Sequence, residues 1–370
     1  MRGMRIRSLD IVRGAVMVLM AIDHVRVFAG VPAGGFTPGV FFTRWVTHFC
    51  APVFIFLAGT AAYLYGRKAG SRAELAKFLV IRGLWLVLLE LTLLRFAWTF
   101  NFDYATFTFA GVIWVIGWSM VLLGALVFLP TSVITAIGVA IIALHNLIPW
   151  VESPSWIVRV LYAGGMFELA GVGWHVVVLY TLIPWIGVMA AGYGFGAVMR
   201  MAPEKRKRIC LSIGIAAVAL FLALRATNLY GDPAPWEHGF LAFLKTTKYP
   251  ASLQFLLMTL GPMLIVLPFL ENARAPWLSV FGRVPFFYYV LHIPLIHLVA
   301  VLISLVRTPE STAWLIANHP MMPPDVPPGY RWSLPLLYLV TALVVTALYF
   351  PCRWFAKKKE EAPRSWMRFL

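Results

Sequence analysis

Apolar runs of membrane-spanning length fill most of this chain, and they constrain its fold more than any other feature. A helix needs about 20 mainly apolar residues to cross about 30 Å of hydrocarbon. Runs of this kind occupy approximately residues 9–29, 43–66, 78–96, 109–129, 131–149, 175–199, 209–226, 251–270, 284–306 and 333–353. Only 12% of the residues are charged, about half the share found in soluble domains. The sequence therefore predicts an all-α, polytopic integral membrane bundle of about ten transmembrane helices, forming one domain over residues 1–370.

The basic residues predict how these helices are oriented. With the N-terminus in the cytoplasm, most of the 31 Lys and Arg residues fall in segments on the cytoplasmic side, as the positive-inside rule expects. An odd number of helices would put the basic tail, about 354–370, on the outside. We therefore expect ten helices with both termini cytoplasmic. Orientation and attraction to the anionic lipid bilayer explain the net charge of +16, so it requires no nucleic-acid partner.

Ionisable residues interrupt the first apolar run. Asp10 and Arg13 precede an uncharged stretch that ends at Asp23 and His24. Such groups are costly in hydrocarbon and by default indicate a functional site. At about 100° per residue, Asp10, Arg13 and His24 fall on one stripe of a helix, and Asp23 points away from that stripe. We expect the stripe to face the bundle interior, with Asp10 and Arg13 paired and His24 about 21 Å further along the helix axis.

Arg44 and His48 begin the second run and are i,i+4 neighbours on one helix face. Asp23 could orient Arg44 or His48 more easily than it could orient His24. On the predicted topology, the histidines all fall in the outer half of the membrane or in outer loops: His24, His48, His145, His175, His238, His292, His297 and His319. A neutral imidazole beside a carboxylate is the usual general base. The sequence predicts a polar centre beneath the outer surface. The alternative, that a histidine only packs between helices or sits at the interface, is favoured for His238, His292, His297 and His319.

Two further groups of cations have a functional and a structural interpretation. Arg200 follows the glycine-rich segment 192–196 and precedes the basic cluster 205–208, so these cations could meet phosphates. The alternative is that the glycines pack helices and the cations fix orientation. Lys248, just before Tyr249, could hold an acidic or phosphorylated group on the outer side. The alternative there is a lysine that snorkels to the membrane interface.

Several segments together resemble a known family. They are Ser8-Leu-Asp-Ile-Val-Arg-Gly14 with Asp23-His24, the run from Phe42 to Gly59, Leu182-Ile-Pro-Trp-Ile-Gly187, Lys248-Tyr-Pro-Ala-Ser-Leu253 and the run from Phe281 to His292. Their combination resembles bacterial membrane proteins of the heparan-α-glucosaminide N-acetyltransferase type. The opening motif is also similar to that of the broader superfamily of membrane acyltransferases that modify envelope glycans. The matches extend from the first predicted helix to the ninth.

The resemblance implies an acyl-CoA-dependent acyltransferase of the bacterial inner membrane. Such an enzyme moves an acetyl group from cytoplasmic acyl-CoA to an amine or hydroxyl of a sugar or glycan on the other side. In this reading His24 is the general base or accepts the acyl group itself, and Arg44 or His48 stabilises the oxyanion. The segment 27–43, where the lysosomal member carries its catalytic histidine, contains none here, so the base is either His24 or His48. The candidate residues that bind acetyl-CoA are Asp10, Arg13, Arg200, Lys248 and Tyr249.

Other classes of membrane protein compete with this interpretation. A small-molecule transporter with a buried polar site is the main alternative, although paired, Gly/Pro-broken helices in two matching halves are not evident. A haem-binding cytochrome and a scaffolding protein are lesser ones. The three cysteines, Cys50, Cys210 and Cys352, lack metal-ligand spacing, so we expect no metal. A homo-oligomer is compatible with the sequence.

Overall fold

The computed structural model describes residues 6–35, 37–149, 154–169, 171–317, 325–361 and 365–368. The chain divides into two compact units. The first consists of Met1–Cys50, Thr92–Asp103 and Leu270–Leu370, and the second of Ala51–Leu91 and Tyr104–Phe269.

Helices account for most of the described chain. The α-helices are α1 (Arg7–Phe28), α2 (Pro38–Trp45), α3 (Cys50–Gly66), α4 (Arg72–Leu89), α5 (Arg95–Thr99), α6 (Val112–Leu126), α7 (Thr131–Leu144), α8 (Trp156–Val158), α9 (Leu182–Val198), α10 (Pro203–Thr227), α11 (Phe240–Leu244), α12 (Leu253–Val266), α13 (Pro276–Arg283), α14 (Pro285–Arg307), α15 (Thr312–Ile316) and α16 (Leu334–Glu361). Short 3₁₀ segments cover Val46–Phe49, His145–Leu147, Leu267–Leu270, Pro309–Ser311 and Ser365–Arg368, and π-helical turns cover Glu90–Leu94 and Arg159–Ala163.

The helical membrane architecture agrees with the sequence prediction. Each of the predicted apolar runs contains helix. Among the described residues, five helices are long and apolar enough to cross a membrane: Pro38–Gly66, Pro203–Thr227, Leu253–Leu270, Pro285–Arg307 and Leu334–Glu361. Shorter apolar helices cover Val112–Leu126, Thr131–Leu147 and Leu182–Val198. The number of crossings and the side on which each terminus lies stay predictions.

A small sheet in the second unit corrects the all-α prediction. Strands β1 (Thr108–Ala110), β2 (Gly165–Leu169) and β3 (Trp174–Val178) form it in the order β1-β3-β2. β3 is parallel to β1, with Thr108 opposite Val176, and antiparallel to β2. The sequence predicted that residues 175–181 begin a helix, whereas α9 begins at Leu182. A short apolar run rich in β-branched valine fits a strand as well as a helix, so its hydropathy alone could not distinguish them.

Close backbone contacts at glycines fix α1 against α13 in the first unit. A Cβ added at Gly14 would lie 1.9 Å from the Leu278 carbonyl oxygen, and one added at Gly282 would lie 1.8 Å from the Asp10 carbonyl oxygen. Only a residue without a side chain allows two helix backbones to approach this closely. The contact at Gly282 therefore places α13 directly beside Asp10.

The glycine-rich segment of α9 serves packing, the structural alternative given above. A Cβ added at Gly192 would lie 2.0 Å from the Phe56 carbonyl oxygen, and one added at Gly194 would lie 1.9 Å from the Thr135 hydroxyl oxygen. The Thr60 hydroxyl donates to the Gly192 carbonyl at 2.9 Å, which links α3 to α9 within the second unit. These glycines let neighbouring helices approach closely.

Candidate functional site

The polar stripe of α1 faces the interior of the first unit, as its spacing predicted. Asp10 and His24 are 6% and 9% exposed, although both are ionisable. Asp10 lies 4.0 Å from the Arg13 guanidinium, so the expected i,i+3 pair is present at the limit of ion-pair distance. Burial of polar groups is tolerated only where partners compensate for lost water. The partners of His24 therefore decide what this residue can do.

His24 contacts a second histidine from a distant part of the chain. Its Nδ1 lies 2.6 Å from Nε2 of His292, which stands on α14 and is fully buried. The two imidazole planes are inclined by only 20°. Nδ1 of His292 lies 2.7 Å from the Tyr289 carbonyl oxygen, one turn earlier on α14. The sequence prediction gave His292 little weight, although this residue ends one of the segments that carry the family resemblance.

Aromatic rings enclose the two imidazoles. Trp98 packs edge-on against His24, with ring centroids 4.8 Å apart, and Tyr289 packs edge-on at 6.0 Å. Tyr288 stacks on His292, with centroids 5.1 Å apart. Apolar walls of this kind lower the local dielectric, so hydrogen bonds and charges inside them interact more strongly than in water. Packing against Trp98 and Tyr289, together with the hydrogen bond to His292, holds the ring of His24 in one orientation.

The loop before α16 anchors the C-terminal end of α1, one turn beyond His24. Carbonyls in the last turn of a helix lack partners within the helix. The Tyr330 hydroxyl donates to the Phe28 carbonyl at 2.5 Å, and the Trp332 amide donates to the Ala29 carbonyl at 3.0 Å. Burial raises the pKa of the Tyr330 phenol above its usual range, so the hydroxyl remains a donor at neutral pH. The position of His24 is therefore fixed by more than its own helix.

Asp23, about 100° around α1 from His24, holds two arginines. Its carboxylate lies 2.6 Å from Nη1 of Arg44 and 3.0 Å from Nε of Arg26. Arg44 also donates to the Thr47 hydroxyl at 3.2 Å, and Arg26 donates to the Val31 carbonyl at 2.8 Å. The sequence offered Arg44 and His48 as partners of Asp23, and the structure pairs Asp23 with Arg44. Arg26 was missed, although its i,i+3 spacing from Asp23 is a signal that the sequence contains.

His48 lies on the 3₁₀ segment after α2 and is half-buried. Its Nδ1 is 3.2 Å from the Arg44 carbonyl oxygen, one turn earlier, so this nitrogen donates and Nε2 is unprotonated in the neutral ring. Both candidate bases therefore have a hydrogen-bonded Nδ1. They differ in that a second imidazole holds His24, whereas a backbone carbonyl of its own helical segment holds His48.

A charged cleft of about 560 Å³ opens beside Asp10 in the first unit. Its lining consists of Arg7, Asp10, Ala273, Arg274, Ala275, Pro276, Ser279, Arg283 and Glu360. Arg283 donates to Glu360 at 2.9 Å. Arg7 and Arg274 form no ion pair with any residue that the structure describes. Arginines of this kind can bind phosphate oxygens, because the guanidinium presents several donors in one plane.

The other candidate cations lie in the second unit. Arg200 is exposed in the turn after α9. Lys248 is 7% exposed, and its ammonium lies 5.2 Å from the ring centroid of Tyr249 and 5.8 Å from that of Tyr180. Asp232 fixes the surrounding loop, because its carboxylate accepts from the Thr247 amide and hydroxyl and from Ser252, each at 2.8 Å. The aromatic rings stabilise the Lys248 cation where it lies.

Two more buried polar residues have structural roles. Glu90, in the second unit, accepts from the backbone amides of Ile113 and Trp114 and so caps the N-terminus of α6. Arg95, in the first unit, donates to the Asn101 side chain at 2.7 Å and to the Asp103 carbonyl. Each side chain satisfies backbone or polar groups of its own unit.

Two further histidines are tied to backbone carbonyls, and a third lies at the surface. The two ring nitrogens of His297 lie 3.0 Å from the Ala97 carbonyl oxygen and 2.8 Å from the Leu315 carbonyl oxygen. His145 lies 2.8 Å from the Ala251 carbonyl oxygen in the second unit. His238 is exposed. His319 lies outside the described residues, as do parts of the basic tail at 362–364 and 369–370.

In the ranges of the chain that the structure describes, no group of three or more His, Cys, Asp or Glu side chains could hold a metal ion. Cys50, Cys210 and Cys352 are buried as free thiols.

A comparison with protein families identifies the family of this chain. The family model described as "Heparan-alpha-glucosaminide N-acetyltransferase, catalytic" matches residues 5–228, which is more than half of the chain. The matched range includes α1 and the 3₁₀ segment that carries His48. No curated protein matches the chain.

Proposed function

The chain belongs to the heparan-alpha-glucosaminide N-acetyltransferase family, and from this premise we propose that it transfers an acetyl group from acetyl-CoA to an amine or hydroxyl of a glycan. Membership of this family implies a membrane acetyltransferase. The observation that carries the proposal is His24, a buried imidazole in the matched range whose Nδ1 is hydrogen-bonded to a second imidazole. Such an arrangement is typical of a general base oriented by another group.

His24 takes the proton of the acceptor as the amine or hydroxyl attacks the thioester carbonyl carbon. A bond from the acceptor to the acyl carbon forms and the carbon–sulfur bond breaks. The protonated His24 then returns the proton to the departing CoA thiolate, so the enzyme regains its starting state. Arg44, oriented by Asp23, supplies positive charge for the oxyanion of the tetrahedral intermediate. His48 is the alternative base.

Acetyl-CoA is proposed to bind with its phosphates in the cleft beside Asp10. Arg7 and Arg274 are suited to the phosphate oxygens, and Arg283, which is paired with Glu360, adds positive charge. Asp10, paired with Arg13, shapes the entrance. Asp10 and His24 are fourteen residues apart on one helix, about 21 Å. The acyl-pantetheine arm would follow α1 across that distance.

The acceptor would approach from the opposite side of the membrane. In this proposal ten helices cross the inner membrane of a bacterium, and both termini lie in the cytoplasm with the basic tail at about 354–370. Lys248 and Tyr249 would contact an acidic or phosphorylated group, and Arg200 would contact phosphates on the cytoplasmic side. Support comes from the burial of Lys248 beside two aromatic rings and from the exposure of Arg200.

Proteoliposomes test the direction of transfer. Vesicles that hold radiolabelled acetyl-CoA inside and glucosamine outside should accumulate labelled, acetylated sugar in the external medium. Vesicles with His24→Ala protein in equal amount should not. Label that stays with acetyl-CoA in both samples would contradict the proposal. The label must be followed on the sugar itself, because a transporter would move acetyl-CoA without acetylating the sugar.

A further inference from the structure

The hydrogen-bond partners of His292 determine where its proton lies. Nδ1 faces the carbonyl oxygen of Tyr289 at 2.7 Å, and the Tyr288 carbonyl oxygen lies at 3.2 Å. A carbonyl oxygen only accepts hydrogen bonds, so Nδ1 must carry the hydrogen. A neutral imidazole has a single N–H, and a charged ring at this fully buried position would carry a large desolvation cost. Nε2 of His292 is therefore an acceptor.

The same reasoning determines the protonation of His24. Its Nδ1 lies 2.6 Å from the accepting Nε2 of His292, so the Nδ1 of His24 must be the donor. The neutral His24 ring is then protonated on Nδ1, and its Nε2 is the nitrogen able to take a proton. Neutral histidine in water favours the opposite form, with hydrogen on Nε2. The backbone carbonyl of Tyr289 thus determines, through His292, which nitrogen of His24 is basic.

We propose that His292 is a positioning residue that holds His24 in the Nδ1–H tautomer and directs its Nε2 to the acceptor proton. This inference rests on the proposed acetyl transfer. The hydrogen bond to His292 also stabilises the imidazolium that forms when His24 takes the proton. In catalytic triads, a carboxylate orients the histidine that acts as the base. Here the His292 imidazole and the Tyr289 carbonyl take the place of that carboxylate.

The packing around His292 suits a fixed orientation. Its ring stacks on Tyr288 with planes inclined by 23° and meets Tyr289 edge-on at 5.0 Å. Rotation of the imidazole would break both nitrogen contacts inside a fully buried site. A rigid second residue of this kind maintains the geometry of a catalytic side chain better than a solvated one.

Two substitutions of His292 distinguish a role in positioning His24 from a role in filling space in the core. In His292→Gln, the amide oxygen can accept from Nδ1 of His24 while the amide N–H₂ donates to the Tyr289 carbonyl. In His292→Leu, the volume is largely kept and the acceptor is lost. His297→Leu is the matched control, because it removes another fully buried imidazole from the same helix. All variants are compared as folded protein isolated by size-exclusion chromatography.

The first readout is the ¹⁵N spectrum of histidine-labelled protein, with the His24 signals assigned from His24→Ala. Wild type, His292→Gln and His297→Leu should show His24 protonated on Nδ1, whereas His292→Leu should shift it toward Nε2–H. The second readout is kinetic. His292→Leu should lower kcat by about 100-fold, within the range that general-base catalysis contributes, and KM for acetyl-CoA should stay nearly unchanged. His292→Gln should restore most of kcat.

The outcomes are distinguishable from those that test acetyl transfer itself. Wild-type His24 protonated on Nε2 would overturn the inference, whatever the activity. An active His292→Leu protein with wild-type kcat and an unchanged tautomer would also overturn it. The predicted tautomer in a protein that never turns over acetyl-CoA would support the role of His292 in setting the tautomer and would refute the proposed function.

Discussion

Nδ1 of His24 lies 2.6 Å from Nε2 of His292, although 268 positions separate the two residues in the sequence. Both rings are buried, and aromatic side chains surround them. An interaction between two polar side chains at such depth needs every hydrogen bond to be satisfied, because unpaired polar groups there are costly. The packing of α1 against α14 brings His24 and His292 together, and it thereby determines which nitrogen of His24 is protonated.

Asp23 should matter for stability through the arginines that it holds. Asp23→Asn removes the negative charge between Arg26 and Arg44, and both guanidiniums then remain in largely buried positions. We expect a loss of about 2 kcal/mol, the range for hydrogen bonds to charged groups, measured as a lower midpoint of thermal unfolding in detergent. Glu361→Gln is the matched control, because it breaks an exposed pair with Lys357 at 3.5 Å. That change should cost no more than about 0.5 kcal/mol. Equal effects of the two substitutions would refute the structural role of Asp23.

The close approach of α1 to α13 predicts a strong effect of a single methyl group. Gly14→Ala places a carbon atom 1.9 Å from the Leu278 carbonyl oxygen, so one backbone must move. We expect destabilisation by about 1–3 kcal/mol, the usual cost of overpacking. At Gly34 an added Cβ meets nothing within 4 Å, so Gly34→Ala should leave the unfolding midpoint nearly unchanged. A wild-type midpoint for Gly14→Ala would show that this helix contact is looser than the structure describes.

The cleft beside Asp10 predicts a selective effect on donor binding. Arg274→Gln removes one cation from its lining. If that cation binds a phosphate of acetyl-CoA, its loss removes a charge-assisted hydrogen bond of about 1.5 kcal/mol, which raises KM for acetyl-CoA about tenfold. We expect kcat to change little, because the reacting atoms are distant. Arg353→Gln, an exposed arginine on α16 outside this lining, is the control for net charge. Equal KM values for both variants would remove the cleft from the proposed donor site.

The sequence predicted the local features well, because they depend on residues close together in the chain. Helix positions follow from apolar length, and the orientation of Asp23 away from His24 follows from about 100° of rotation per residue. Arg44 was one of the two partners expected for Asp23, and this pair is present. The family resemblance was also recognised from the sequence, and the family model that matches residues 5–228 confirms it.

Contacts between distant helices could not be predicted in the same way. The pairing of His24 with His292 depends on which helices adjoin and how each is rotated, and neither follows from hydropathy. The sheet that contains β3 was missed because a short valine-rich run has no distinguishing period. The short helix α13 was missed because its eight residues, Pro276–Arg283, are too few to form a recognisable apolar run.

Release of CoA from acetyl-CoA by purified protein in detergent, with glucosamine as acceptor, tests the central claim most directly. Wild type, His24→Ala and His48→Ala should be compared as folded protein at equal concentration. We predict that His24→Ala lowers the rate of release by at least about 100-fold and that His48→Ala retains most of it. Full activity of His24→Ala would contradict the account. Loss of activity confined to His48→Ala would transfer the role of base to His48.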